Sequence, residues 1–191
     1  MEMKDQLQEI FDLPSDQIEE ISQYFVEERF EKGQLFLDQG QRADRLSLIT
    51  SGIFRVFAQT EAREVTQWIG GEGYFITDLS SFLFDQSSRW QIQALTEARV
   101  FSLRKSDYRR FEVLVPHWNI VEKRFIAKCF LVLENRVFDF IALSAEDRYR
   151  QYFEQHKEFF NQVPLQYIAS VLGMTPETLS RVRAKLVGET S

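Results

Sequence analysis

Hydrophobic and polar positions follow two different periods along this chain of 191 residues, and the period changes twice. Residues 3–26 show helical spacing of apolar side chains, with Ser15 as a candidate N-cap before Ile18. From about residue 30 to residue 103, short apolar runs alternate with period two and are separated by glycines. Many short strands with short connections predict an antiparallel sandwich, roll or barrel that follows the opening helices.

A long helical pattern follows Pro116. About 27 residues without Gly or Pro carry apolar side chains at steps of three and four, which predicts one helix over residues 116–141. One face of such a helix can pack on the β module, and a second copy of the chain is the simplest partner for the rest. The alternative is a helix that is fully buried in its own domain. The candidate dimer-interface residues are Trp118, Val121, Phe125, Cys129, Leu133 and Val137.

The end of the chain predicts a small helical domain. Ser144 and Asp147 have the spacing of a capping box at the start of a helix. Gly173 stands at a corner that needs left-handed backbone. Thr175 followed by Pro176 is a strong signal for the start of the next helix. The pattern predicts two short helices joined by a tight turn.

The outward face of the last helix has the chemistry of a DNA contact. An exposed Arg can bind guanine with two hydrogen bonds, and a Glu can accept one from cytosine. Hydroxyl groups and a helix N-terminus suit phosphate. The alternative is an ordinary helical hairpin with a solvated charged face. The candidate DNA-binding residues are Thr175, Pro176, Glu177, Thr178, Ser180, Arg181 and Lys185.

The formal net charge of −6 does not oppose DNA binding, because the acidic excess lies in the N-terminal part. Residues 1–143 carry 17 Lys or Arg and 23 Asp or Glu, whereas residues 144–191 carry 6 of each. The predicted C-terminal helices can therefore approach phosphates.

Composition argues against several other classes of protein. The single cysteine, Cys129, cannot form an intramolecular disulfide, which suits a cytoplasmic protein. One Cys with His117 and His156 does not predict a zinc, haem or iron–sulfur site, so no metal is expected. A cupin-like metalloenzyme would need histidines inside the β region, and both lie outside it. We therefore predict no catalytic residues. No apolar run reaches the roughly 20 residues of a membrane span.

The stretch "IASVLGMTPETLSRV" resembles the helix-turn-helix of the Crp/Fnr family of bacterial transcription regulators. The order of the predicted elements is similar as well. The resemblance implies an α+β fold: an antiparallel β-roll (a double-stranded β-helix of the cyclic-nucleotide-binding type) over residues 1–115, a dimerisation helix over residues 116–141, and a small helix-turn-helix domain over residues 142–191. Only five residues follow Leu186, so a full wing is not expected.

The same resemblance implies a homodimer that binds a pseudo-palindromic operator in double-stranded DNA and contacts RNA polymerase. Glu177 and Arg181 would be its main base contacts. Pro176 stands where the family often has a base-contacting Arg, so the operator should differ from the usual half-site. The alternative function is a small-ligand sensor or scaffold protein that uses this fold without binding DNA.

Cyclic-nucleotide receptors of the family use a Glu for the ribose and an Arg for the cyclic phosphate. Here the corresponding positions hold Asp78, Leu79 and Ser80, and Ser88 takes the place of the Arg. Arg89 comes one residue late, which turns its side chain to the other face of a strand. Cyclic AMP is therefore not expected, whereas another small effector or a module without a ligand stays open. The structural alternatives are a turn cap for Asp78 and a surface charge for Arg89.

Overall fold

The computed structural model describes residues 2–189, in which two antiparallel sheets are followed by a long helix and a group of short helices. The N-terminal part consists of α1 (Met3–Phe11), α2 (Ser15–Ser22), β1 (Phe25–Phe30), β2 (Leu35–Leu37), β3 (Arg45–Ser51), β4 (Phe54–Gln59), β5 (Glu64–Gly70), β6 (Phe75–Ile76), α3 (Leu79–Phe84), β7 (Gln91–Ala94) and β8 (Ala98–Arg104). The C-terminal part consists of α4 (Lys105–Tyr108), α5 (Phe111–Leu114), α6 (Trp118–Ala142), α7 (Ala145–Gln155), α8 (Phe159–Gln162), α9 (Leu165–Val171) and α10 (Pro176–Glu189).

The β module contains two four-stranded sheets, with strand orders β1-β8-β3-β6 and β2-β7-β4-β5. Every strand pair is antiparallel. Leu48, Phe54 and Val100 are among the side chains that are completely buried in the core of this module. Burial of each such side chain contributes about 1.5–3 kcal/mol to folding. The predicted α+β class with an antiparallel β-roll is confirmed.

The prediction of a helical segment over residues 3–26 is only partly right. The chain forms α1 and α2, and Asp12 takes a left-handed conformation (φ 55°) between them. Pro14, and not Ser15, holds the position before α2, and no side chain caps that helix. Phe25 begins β1, which pairs with β8 from Phe25 opposite Leu103 onwards. Pairing with β8 and burial of the strand's ends override the helical spacing of the sequence.

The long helix α6 divides into two halves. Trp118 and Phe125 are only 2% and 6% exposed and belong to the core of their own β module. Val121 and Cys129 are partly buried against the same core. Trp118 and Phe125 are therefore corrected from interface residues to core residues of their own domain, whereas Val121 and Cys129, which keep exposed surface, stay predicted interface residues. Val137, in the second half, is 58% exposed.

The C-terminal helices begin at the predicted caps. Ser144 Oγ accepts a hydrogen bond from Asp147 N at 3.2 Å, so Ser144 is confirmed as the N-cap of α7. The Asp147 carboxylate accepts from the Ser144 hydroxyl at 2.6 Å, where a capping box would use the Ser144 backbone N–H. Gly173 has φ +67°, as the predicted corner requires. Leu179 and Val182 are buried between α10 and its neighbours.

The sheet edge at β5 is covered by α9. Thr66 N donates to Ser170 Oγ at 2.9 Å, so an edge-strand amide is bonded to the helix pair. Ile53 and Ile69 of the β module share one buried cluster with Ile168 of α9. The short C-terminal helices are therefore packed on the β module itself.

The second half of α6 also contacts this junction. Arg136 donates hydrogen bonds to the carbonyl oxygen of Gln67 in β5 and, at 2.9 Å, to that of Val171 at the end of α9. The ring of Phe140 lies directly beside Gly173. One helix thus contacts both the β module and the turn between α9 and α10.

Candidate functional site

The first turn of α10 is fixed by its cap. Thr175 Oγ1 accepts a hydrogen bond from Thr178 N at 3.2 Å, and Pro176 is the first helical residue. A proline at this position costs no hydrogen bond, since the amide there would have no intrahelical partner. The sequence predicted both this cap and this first helical residue. The cap holds the outward face of α10 in one orientation.

The side chains on that outward face are available for contact. Glu177 and Arg181 are exposed, and so are Pro176 and Ser180. Arg181 Nη2 donates to Thr178 Oγ1 at 3.2 Å, which uses one of its five N–H groups. Exposure in the first turns of a helix is what a base contact requires. The base contacts themselves stay a prediction.

Electrostatics fix the charge of Glu177. The hydrogen bond with Thr175, the backbone amide of Glu177 and the Arg181 guanidinium lower the pKa of its carboxyl group, in that order of importance. The carboxylate is therefore ionised at neutral pH and can only accept hydrogen bonds. A cytosine amino group is a suitable donor to it.

Lys185, one of the candidate DNA-binding residues, is paired with a carboxylate of the same chain. Its Nζ lies 2.7 Å from both carboxylate oxygens of Glu146 in α7. A groove between the start of α7 and α10 is lined by Ser144 and Glu146 on one side and by Arg181 and Lys185 on the other. Sequence reasoning did not include the α7 residues, because only the folded chain brings them beside α10.

In the β module, Asp78 and Ser88 are brought together. Asp78 Oδ1 accepts hydrogen bonds from the amides of Ser80 and Ser81, at 3.0 and 3.2 Å, and so caps α3. Asp78 Oδ2 lies 2.7 Å from Ser88 Oγ. Both Asp78 and Ser88 are buried. The turn-cap alternative for Asp78 is confirmed.

Arg89 is not part of this buried group. It is exposed, and its guanidinium carbon lies 4.4 Å from the centre of the Trp90 ring. Ser80 is exposed as well, and Leu79 is half-buried. This position fits the surface-charge alternative for Arg89, and a role in ligand binding stays a prediction.

These residues do not fit cyclic AMP. The carboxylate of Asp78 already accepts two amides and faces a hydroxyl, and Ser88 offers no positive charge to a cyclic phosphate. The two positions that would hold the ribose and the phosphate are bonded to each other. At the two positions that correspond to the ribose and phosphate contacts of cyclic-nucleotide receptors, the β module therefore has a carboxylate that is already bonded and a residue without positive charge.

Over the described residues, no group of three or more His, Cys, Asp or Glu is placed to hold a metal ion. Cys129 is half-buried against the core, and burial raises the pKa of its thiol, which favours the protonated form. No helix within residues 2–189 is both long and apolar enough to cross a membrane.

A second exposed surface lies on the second half of α6. We call it the α6 face. Its members are apolar, follow one another at steps of three or four residues and are at least 44% exposed. They are Phe130, Leu133, Val137 and Ile141. Two of them, Leu133 and Val137, were predicted from the sequence as interface residues.

Comparisons with known proteins agree with this architecture. Residues 27–112 match the family model of the cyclic nucleotide-binding domain. The Catabolite Activator Protein of Thermus thermophilus is 21% identical and aligns over 95% of this chain and 87% of its own, with a TM-score of 0.58. FixK2 from Bradyrhizobium japonicum is 15% identical over 87% of this chain and 86% of its own, with a TM-score of 0.71.

A third solved structure is the c-di-GMP responsive global regulator CLP of Xanthomonas campestris. It is 15% identical, covers 93% of each chain and has a TM-score of 0.67. At these identities the likeness establishes the fold: a cyclic-nucleotide-binding-like β module with a long helix. A comparison with curated protein sequences gave no match.

Proposed function

We propose that this chain is a sequence-specific DNA-binding transcription regulator of the Crp/Fnr type, which acts as a cytoplasmic homodimer. The observation that carries the proposal is the exposure of Glu177 and Arg181 on a helix fixed by Thr175 and Pro176. The packing of α9 on β5 leaves that face of α10 open. No catalytic role is proposed.

The α6 face supports the homodimer. Large apolar side chains exposed in a stripe mark an interaction surface, and a second copy of the same helix offers a matching stripe. Two copies of α10 would then enter successive major grooves about 34 Å apart on a pseudo-palindromic site. Contact with RNA polymerase follows from the family resemblance alone, and we assign no residue to it.

Regulation would pass through α6. A stimulus in the β module would change how two α6 helices pair and thereby set the separation of the two α10 helices. The bonded pair of Asp78 and Ser88 argues that cyclic AMP is not this stimulus.

Binding to DNA is tested by selecting sites from random duplexes and measuring their affinity at several salt concentrations. The logarithm of the binding constant should fall linearly with the logarithm of the salt concentration, because phosphate contacts release counterions. Binding that is absent, or that does not respond to salt, would favour the sensor or scaffold function.

Base recognition by Arg181 is tested by two variants. Arg181→Ala should lose about 1–3 kcal/mol of discrimination at one base pair of the half-site. Arg181→Lys keeps the charge without the fork of N–H groups, so it should retain most of the affinity for unselected DNA while also losing discrimination. A specificity profile that neither variant changes would rule out this role.

A further inference from the structure

A cavity of about 430 Å³ lies where β5, the second half of α6, α7 and the end of α9 meet. This volume is in the range of small-molecule sites. Its aromatic lining includes Trp68, Phe140 and Tyr152, and its polar lining includes Arg136 and Arg148. The cavity is separate from the Asp78 region, and the function proposed above makes no use of it.

Two arginines in this cavity have no carboxylate partner within the described chain. Arg136 donates to the carbonyl oxygens of Gln67 and Val171. Arg148 donates to the carbonyl oxygens of Leu143, at 2.8 Å, and Leu172, at 3.3 Å. Each bonds only to neutral acceptors through two of its nitrogens and keeps further N–H groups.

The nearby negative charge does not neutralise this pair. Among the residues that line the cavity, Asp139 is the one carboxylate, and it accepts a hydrogen bond from Gln151 Nε2 at 3.0 Å. Burial lowers the pKa of Arg136, which shows that its guanidinium is partly removed from water. Two positive charges beside one carboxylate leave the cavity with a net attraction for anions.

Tyr152 supplies an independent observation. Its hydroxyl oxygen is buried and has no hydrogen-bond partner among the described residues. Burial raises the pKa of Tyr152, so the group is a neutral phenol that can donate. A buried donor without an acceptor is rare in folded proteins and indicates a missing partner.

We propose that this cavity binds a small organic anion that carries a planar ring. A carboxylate or phosphate group would accept hydrogen bonds from Arg136, Arg148 and Tyr152. The ring would lie beside Trp68 and Phe140, whose rings the two guanidinium groups already face at 5.1 to 5.6 Å. Because Arg136 bonds both β5 and α9, a bound anion would strengthen the junction between the β module and the short helices. This site does not depend on DNA binding.

The experiment uses the full chain and calorimetric titration. Benzoate and salicylate serve as ringed carboxylates, and AMP serves as a ringed phosphate. Acetate and inorganic phosphate are anions without a ring, and benzamide is a ring without a charge. At least one ringed anion should bind at millimolar concentration or below, about tenfold more tightly than the controls. The comparison of benzoate with AMP separates aromatic acids from nucleotides.

Variants then locate the ligand. Tyr152→Phe should weaken binding several-fold without lowering the thermal stability of the free chain, because the hydroxyl has no partner to lose. Arg148→Gln should weaken binding about tenfold or more. Arg89→Gln, in the β module, should leave the affinity unchanged.

Three results would overturn the proposal. The first is that no ringed anion binds the unaltered chain. The second is that Tyr152→Phe and Arg148→Gln both bind as the unaltered chain does. The third is that only Arg89→Gln abolishes binding, which would move the ligand to the β module.

Discussion

At the scale of single residues, Asp78 and Ser88 show how two side chains close a polar site by bonding to each other. Their 2.7 Å contact uses a carboxylate and a hydroxyl at positions where a receptor of the family would need a carboxylate and a guanidinium. The sequence alone places a serine at position 88, and the expectation that cyclic AMP is not the effector starts from that residue. The bond between Asp78 and Ser88 could not be predicted from the sequence, since ten residues separate them and only the fold sets their distance.

A prediction at the scale of single residues concerns His156 and the pH dependence of stability. The His156 ring stacks on that of Phe159, with the ring centres 4.9 Å apart, and its centre lies 4.7 Å from the centre of the Tyr152 ring. Burial lowers the pKa of its imidazole from the ordinary value of 6.5, and the Glu158 carboxylate opposes this shift. Below pH 6.5 the unfolded chain therefore binds the proton more readily than the folded chain does.

The stability that neutral His156 contributes should be complete above pH 6.5 and should be lost as the pH falls towards the lowered pKa of the folded state. We expect the fall in Tm between about pH 7.5 and about pH 5 to be smaller in His156→Gln. Thermal unfolding at both pH values measures it. His117 is exposed, so His117→Asn serves as the control and should keep the original pH response. Equal responses in all three proteins would contradict the prediction.

At the scale of elements, the caps and the corner of the C-terminal helices were predictable, whereas the cap of α2 and the strand pairing were not. Each cap or corner depends on residues only a few positions away, so its role follows from local backbone geometry. This holds for Ser144, Gly173 and Thr175. Phe25–Phe30 became a strand because β8 offers it a partner about 70 residues later along the chain. A local pattern contains no information about that partner.

The prediction at the scale of elements concerns the stability cost of replacing Gly173. An alanine there would have an unfavourable φ of +67°, and its Cβ would lie 2.6 Å from Phe140 Cε1. Gly40 has φ +84° with open space around it, so Gly40→Ala should cost only the backbone term of about 1–2 kcal/mol. Gly173→Ala should cost a further 1–3 kcal/mol or so, because the Phe140 ring must move. Denaturant unfolding of both variants measures the difference.

A double-mutant cycle separates the backbone cost of the positive φ from the cost of the contact with the Phe140 ring. In a Phe140→Ala background, the cost of Gly173→Ala should fall to about that of Gly40→Ala. The contact between α6 and the turn would be refuted by an unchanged cost in that background.

At the scale of the whole molecule, α6 contributes to two different surfaces. Its first half is buried against the β module through Trp118 and Phe125, and its second half exposes the α6 face. The periodicity of the sequence identified the apolar positions of the helix but could not divide them between the two surfaces. That division depends on where the β module ends in space.

A substitution at Val137 tests the proposed homodimer. Val137→Glu should weaken self-association about a hundredfold or more, equivalent to about 2.7 kcal/mol, because each dimer would bury two like charges. Light scattering across a range of protein concentrations measures it. Val113 on α5 is 88% exposed and lies outside the α6 face, so Val113→Glu should leave the mass unchanged. A Val137→Glu protein with the same concentration dependence as the original would exclude this interface.

The bonds from Arg136 and Thr66 to α9 have a consequence for protein engineering. A chimera that joined residues 1–143 to the helix pair of another protein with this fold would leave the Thr66 amide and part of the Arg136 guanidinium without acceptors. Such a graft would need a hydroxyl at the place of Ser170 and a small residue beside Phe140. Whether such a chimera folds should therefore depend more on compatibility of these contacts than on the choice of cut point.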